Sequence, residues 1–163
     1  STNVHMSPGV IARIIKALPS CVMLKHEDWP GLAKLSALRA MNDTRRVSIL
    51  VGNGALFLPE EMERGADGAM TGFAYPEMMV DVVKAYGAKN PERARDLFDA
   101  YLPLARYEQQ PGPGLAIRKY VLQKRGVIAS GSLRKPGPKL SPLDIAEIER
   151  MITRQSKRLQ EIG

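Results

Sequence analysis

Cys21-Val22-Met23-Leu24-Lys25 is a short apolar run that ends on a charge. It shows no alternation of polar and apolar residues. That pattern suits a strand buried on both faces, as in a parallel sheet. Upstream, Ser7-Pro8 is a helix start signal, and Val10, Ile11, Ile14, Ile15 and Leu18 recur at helical spacing until Pro19. Downstream, Pro30 opens a second helical pattern with Leu32, Leu35, Leu38 and Met41 on one stripe. A polar break over 42–46 leads into Val47-Ser48-Ile49-Leu50-Val51, a second apolar strand that stops at Gly52-Asn53-Gly54.

The pattern then repeats. A short helix is expected over 58–64, a glycine-weakened strand over 68–73 and another helix over 76–85. Strict alternation of helix and strand with short connections predicts a parallel sheet, an α/β fold. From Asn90-Pro91 onward the chain reads as helix only. A long helix is expected over 91–110, with Pro103 as a kink point. Gln110-Pro111-Gly112-Pro113-Gly114 is a break, a helix follows over 115–124, and 127–140 is a loop rich in Gly, Pro and basic residues. Ser141-Pro142 opens the last helix. The expected division is 1–88 for the βα units and 89–163 for a helical region.

At 163 residues, with 44% hydrophobic and 25% charged residues, the chain suits a globular protein with a real core. Its 24 basic and 17 acidic residues leave a net charge of +7, much of it late in the chain. Such an excess attracts nucleic acid, anionic membrane faces or acidic substrates. Aromatic interleaving for base stacking is sparse and no nucleic-acid motif is present, so no nucleic-acid partner is expected. No apolar run approaches the roughly 20 residues of a membrane helix. The lone Cys21 excludes an internal disulfide and makes a cytoplasmic location the expectation. No His, Cys and carboxylate cluster has metal-ligand spacing.

In parallel α/β folds, chemistry sits at the carboxyl ends of the strands. Those ends here are Lys25-His26-Glu27-Asp28, Gly52-Asn53-Gly54 and Gly72-Phe73-Ala74-Tyr75. A lysine emerging from a buried strand is partly desolvated, which favours the neutral amine, and a neutral amine attacks a ketone to form an imine. The plainer reading is a lysine paired with Glu27 or Asp28. His26, next to an inward-pointing strand residue, is expected to point away and to pack or hydrogen-bond. Gly52-Asn53-Gly54 lets the backbone approach a ligand, or is an ordinary tight turn.

The order of several motifs resembles the dihydrodipicolinate synthase and N-acetylneuraminate lyase family. They are Thr2-Asn3-Val4-His5-Met6-Ser7-Pro8, Val22-Met23-Leu24-Lys25, Val51-Gly52-Asn53-Gly54-Ala55 with Leu58-Pro59, and Gly65-Ala66-Asp67-Gly68-Ala69-Met70-Thr71-Gly72. Asn90-Pro91 with Ala94-Arg95, and Gly114-Leu115-Ala116-Ile117-Arg118-Lys119, complete the match over about 2–126. The resemblance implies a (β/α)8 barrel followed by a helical C-terminal region, of which this chain would carry the later strands. It implies that Lys25, on the sixth strand, forms the imine with a 2-oxo acid such as pyruvate. Gly52 and Asn53 would follow the seventh strand and face the site, and Met70 on the eighth would offer backbone contacts to substrate. It implies a homodimer or homotetramer and no cofactor.

The sequence also departs from the family. His26 stands where an acidic residue often follows the lysine, and Asn53 where an Asp is common. The Gly-Thr-Thr segment, the proton-relaying tyrosine and a substrate-binding arginine are missing, and Tyr75 and Tyr86 do not take the tyrosine's place. Three strands do not close an eight-stranded barrel. Two readings follow: part of a longer Schiff-base lyase or aldolase, or a truncated barrel that serves as a noncatalytic binding module.

Overall fold

In the computed structural model, residues 4–28, 31–134 and 137–163 are described. Pro30, the expected helix opener, lies outside them, as do Thr2, Asn3 and Lys135. The chain forms two compact units, Ser1–Thr71 and Gly72–Gly163.

The first unit alternates helix and strand. Helix α1 (Pro8–Ala17) starts where Ser7 Oγ accepts the Val10 N–H at 3.3 Å, with proline in the first turn. It buries Ile11, Ala12 and Ile15 and packs against α2 (Leu32–Arg39), which buries Leu35 and Leu38. Strands β1 (Met23–His26), β2 (Ser48–Val51) and β3 (Gly68–Ala69) form one parallel sheet in that order. Helix α3 (Leu58–Glu63) lies between β2 and β3 in the chain. The register aligns Lys25 with Leu50, and His26 with Val51, which in turn meets Ala69. Ile49, Val51 and His26 are buried on the face toward the helices. Asp67 locks the amino ends of β2 and β3: its carboxylate accepts the Ile49 N–H at 2.8 Å and guanidinium donors from Arg39 and Arg46.

Two expectations need correction. β1 is not buried on both faces: Val22 is 68% exposed, Met23 38%, and Lys25 is exposed as well. Among the described residues β1 pairs with β2 alone and so lies at the sheet edge, and its Met23 and Lys25 face is open to solvent. The third strand is two residues long, not six. Its chain leaves the sheet at Thr71, whose hydroxyl accepts the Gly54 N–H at 2.9 Å.

The second unit is helical: α4 (Pro76–Gly87), α5 (Pro91–Glu108), α6 (Gly114–Lys124) and α7 (Pro142–Ile162). Helix α5 is the hub, packing against each of the other three. Pro103 lies within α5 without ending it. Helix α7 opens on a capping box in which Ser141 and Asp144 satisfy each other's backbone N–H groups. Among the buried side chains is Glu108, 1% exposed. Its carboxylate accepts the Ala74 N–H at 3.0 Å and Arg118 Nε at 2.5 Å, and Arg118 Nη2 donates to Gly72 O at 2.8 Å. Gly72 has room for no side chain, since a Cβ there would lie 2.2 Å from Arg118 Nη1. Arg125 stacks 4.1 Å above the Tyr75 ring and pairs with Glu77.

Candidate active site at the strand ends

The carboxyl ends of β1 and β2 come together through a few side chains. Lys25 Nζ lies 3.1 Å from Glu27 Oε1, with the lysine side chain 43% exposed. The desolvation expected for Lys25 is therefore small, and the carboxylate beside it is its main electrostatic partner. His26 points the other way. It is 3% exposed and its Nε2 sits 3.0 Å from Gly31 O, the packing and hydrogen-bonding role expected of it. Gly31 must be small here, because a Cβ would come within 2.6 Å of that nitrogen.

Gly52 and Asn53 bring the second loop against the first. The Gly52 N–H donates to His26 O at 2.8 Å, extending the ladder. A Cβ on Gly52 would lie 2.4 Å from Glu27 Cγ and 2.5 Å from its Oε1. Glu27 thus fills the space that the missing side chain leaves. Asn53 Nδ2 donates to the Glu27 carbonyl at 2.9 Å. Asn53, Gly54 and Ala55 all take left-handed φ angles of 51°, 66° and 58°. Only glycine adopts that region freely, so Asn53 and Ala55 cost backbone energy that the burial of Ala55 and the Thr71 bond must offset. Met70 is at the carboxyl edge of β3, where its N–H donates to Val51 O at 2.8 Å. That N–H is committed to the sheet, and the side chain is 37% exposed.

Glu61 was not singled out by its sequence context. It follows Leu58 by three residues on α3, so it shares that residue's buried stripe, and it is 9% exposed. It lines a crevice of about 50 Å³ with Asp28, Gly31, Gly52, Asn53 and Phe57. Desolvation, and then the charge of Glu60, push its carboxyl up to about 7. Asp28 on the same crevice is paired with Lys34. Among the described residues, no group of three or more His, Cys, Asp or Glu side chains is placed to hold a metal.

The role of Gly52 is testable. The clashing atoms belong to the flexible end of Glu27, so Gly52→Ala should swing that side chain away while the fold survives. We expect the melting temperature to stay within a few degrees while formation of the Lys25 adduct proposed below slows by about tenfold or more, since a small misplacement of Glu27 beside the amine costs that much. An unchanged rate would show that Glu27 does not need its present position.

No family model matches the chain. Dihydrodipicolinate synthase from Rhodopseudomonas palustris is 54% identical and superposes with a TM-score of 0.88, over 91% of this chain and 50% of that one. The chain is similar to the C-terminal half of dihydrodipicolinate synthase family proteins. L-2-keto-3-deoxyarabonate dehydratase from Azospirillum brasilense is 30% identical over 149 residues, 91% of this chain and 48% of that protein. A prophage protein of the dihydrodipicolinic acid synthase family from E. coli K12, solved in complex with pyruvate, shares the fold at a TM-score of 0.75 and 17% identity, over 92% of this chain and 51% of that one. The chain spans about half the length of the relatives it matches. Its three parallel strands with their helices, followed by the helical region, match the C-terminal half of the dihydrodipicolinate synthase (β/α)8 barrel. No helix among the described residues is long and apolar enough to cross a membrane.

Proposed function

We propose that this chain carries the amine of a Schiff-base lyase or aldolase that acts on a 2-oxo acid, with Lys25 as the imine-forming residue. The observation that carries this is Lys25 Nζ at the carboxyl end of β1, on the open face, 3.1 Å from the Glu27 carboxylate. Glu27 is a proton acceptor within direct reach of the ammonium. Once the proton is transferred, the nitrogen lone pair attacks the ketone carbon to give a carbinolamine. Loss of water then leaves the imine, and the protonated imine draws electrons from the neighbouring C–C or C–O bond. We assign substrate contacts to the backbone at Gly52 and Asn53, after β2, and at Met70, after β3, where the Gly52 and Met70 N–H groups are taken by the sheet and their carbonyls are the groups to contribute.

The full reaction belongs to a barrel completed by further strands, because three strands leave the site open on one face. From the family resemblance we propose assembly as a dimer or tetramer, and the free Cys21 fits a cytoplasmic setting.

Borohydride reduction in the presence of pyruvate tests the assignment. A reduced pyruvyl adduct is expected on Lys25 by peptide mass and is expected to vanish in Lys25→Met. Absence of an adduct from an enzyme with the complete set of strands would overturn the assignment, as would an adduct on another lysine. An adduct without turnover by the present chain would place the proton-moving groups elsewhere.

A further inference from the structure

The charge of the helical unit is distributed unevenly. Between Glu108 and Asp144 the sequence holds no acidic residue and seven lysines and arginines. Three of them are neutralised by acids outside the stretch: Arg118 by Glu108, Lys124 by Glu149 and Arg125 by Glu77. Lys119, Arg134 and Lys139 have no acidic partner among the described residues, and all three line two adjoining cavities of about 500 and 540 Å³. Arg134 lies on both walls. Like charges gathered without counterions repel one another, so an arrangement that holds them together favours an anion between them.

Residues 130–132 are fastened to α6. Gln123 accepts the Gly131 N–H at 2.9 Å, the Ser130 and Ser132 hydroxyls meet at 2.9 Å, and Lys119 Nζ donates to Ser132 O. A guanidinium presents a planar fork that matches phosphate oxygens, and hydroxyls add further donors. The larger volumes suit a small molecule rather than a bare ion, since ligand sites commonly span about 300–1,000 Å³. Among the described residues on these walls the one aromatic side chain is Tyr120, whose hydroxyl is tied to Glu149 at 2.6 Å, which does not make a stacking platform for successive bases.

We propose that the cavities lined by α6, by residues 130–134 and by residues 137–140 form a binding site for a phosphorylated small molecule carrying at least two negative charges, with Arg134 and Lys139 as its principal contacts. The site is independent of the chemistry assigned to Lys25.

Titration of the full chain with inorganic pyrophosphate at fixed ionic strength, followed by calorimetry and by amide shifts, tests it. The expected result is saturable one-site binding with shifts centred on 130–134 and 137–139. The Arg134→Ala, Lys139→Ala double variant should weaken binding by about tenfold or more. Arg150→Ala, an exposed cation on α7 away from the cavity walls, should bind as the parent does. Three results would overturn the proposal: no saturation beyond a chloride control, an equal loss in Arg150→Ala, or affinity for duplex DNA that grows with duplex length and exceeds that for pyrophosphate. The last would identify a nucleic-acid surface instead.

Discussion

Arg118→Met is expected to destabilise the helical unit by about 3–5 kcal/mol, the usual cost of removing one partner from a buried ion pair. The side chain of Glu108 is 0% exposed, and its oxygens are met by Arg118 Nε and the Ala74 N–H. Desolvation already pushes the Glu108 carboxyl up, and Arg118 opposes that push. Without the guanidinium, the carboxylate is left with one backbone donor, and Gly72 O loses its donor as well. The variant can escape part of the cost by protonating Glu108. The folded pKa then stands further above the unfolded one, so the missing stability is smallest at acid pH and grows as pH rises. Urea unfolding at pH 5 and pH 8 checks this: the deficit should be larger at pH 8. The Glu108→Gln, Arg118→Met double variant should recover part of the loss and lose the pH dependence. Equal deficits at both pH values would mean that Arg118 acts by packing alone.

Glu61→Gln should have the opposite sign at neutral and alkaline pH. The Glu61 carboxyl has an ordinary value of 4.5 and is pushed up to about 7 in the folded chain. Below the unfolded value both states are protonated, and the full stability is present. Between about 4.5 and 7 the unfolded state ionises first, so stability falls as pH rises. Above the folded value the loss is complete. Part of the crevice reaches solvent, so we expect a loss of about 2 kcal/mol rather than the full linkage value. Glutamine keeps the shape and cannot ionise. It should therefore match the parent near pH 4 and exceed it by about 2 kcal/mol at pH 8. The urea midpoint across that range is the measurement, and parallel curves for parent and variant would refute the burial argument.

Much of the fold was legible because its signals are local. The apolar runs at 21–24 and 47–51, the Gly52-Asn53-Gly54 stop and the Ser-Pro helix starts each act over a few residues. The carboxyl ends of β1, β2 and β3 are at one end of the sheet, as a parallel arrangement requires, but β3 stops at Ala69, so the expected third end at 72–75 is not a strand end. Lys25 and Glu27 were also readable as neighbours, since residues two apart near a strand end fall on one side. The exposure of β1 was not readable, because an apolar run looks the same whether or not another layer covers it. Nor was the short β3: six residues carry strand potential, but the Thr71 hydroxyl takes the chain out of the sheet to cap Gly54. The two buried glutamates escaped for a related reason. A carboxylate sequence context says nothing of burial when its partner is 34 residues away, as Ala74 is from Glu108.

The open edge of β1 has a consequence for the handling of the protein. An unpaired strand flanked by exposed Val22 and Met23 is a template on which a second chain can add itself, and a charge placed in such a strand is what discourages that addition. Lys25 is that charge. Replacing it with methionine removes that charge together with the amine proposed to form the imine, whereas a reduced adduct keeps a charged secondary ammonium at the position. Samples of Lys25→Met should therefore self-associate at lower concentration than the parent. Light scattering belongs beside every assay of that variant, so that a loss of reaction is not confused with a loss of monomer.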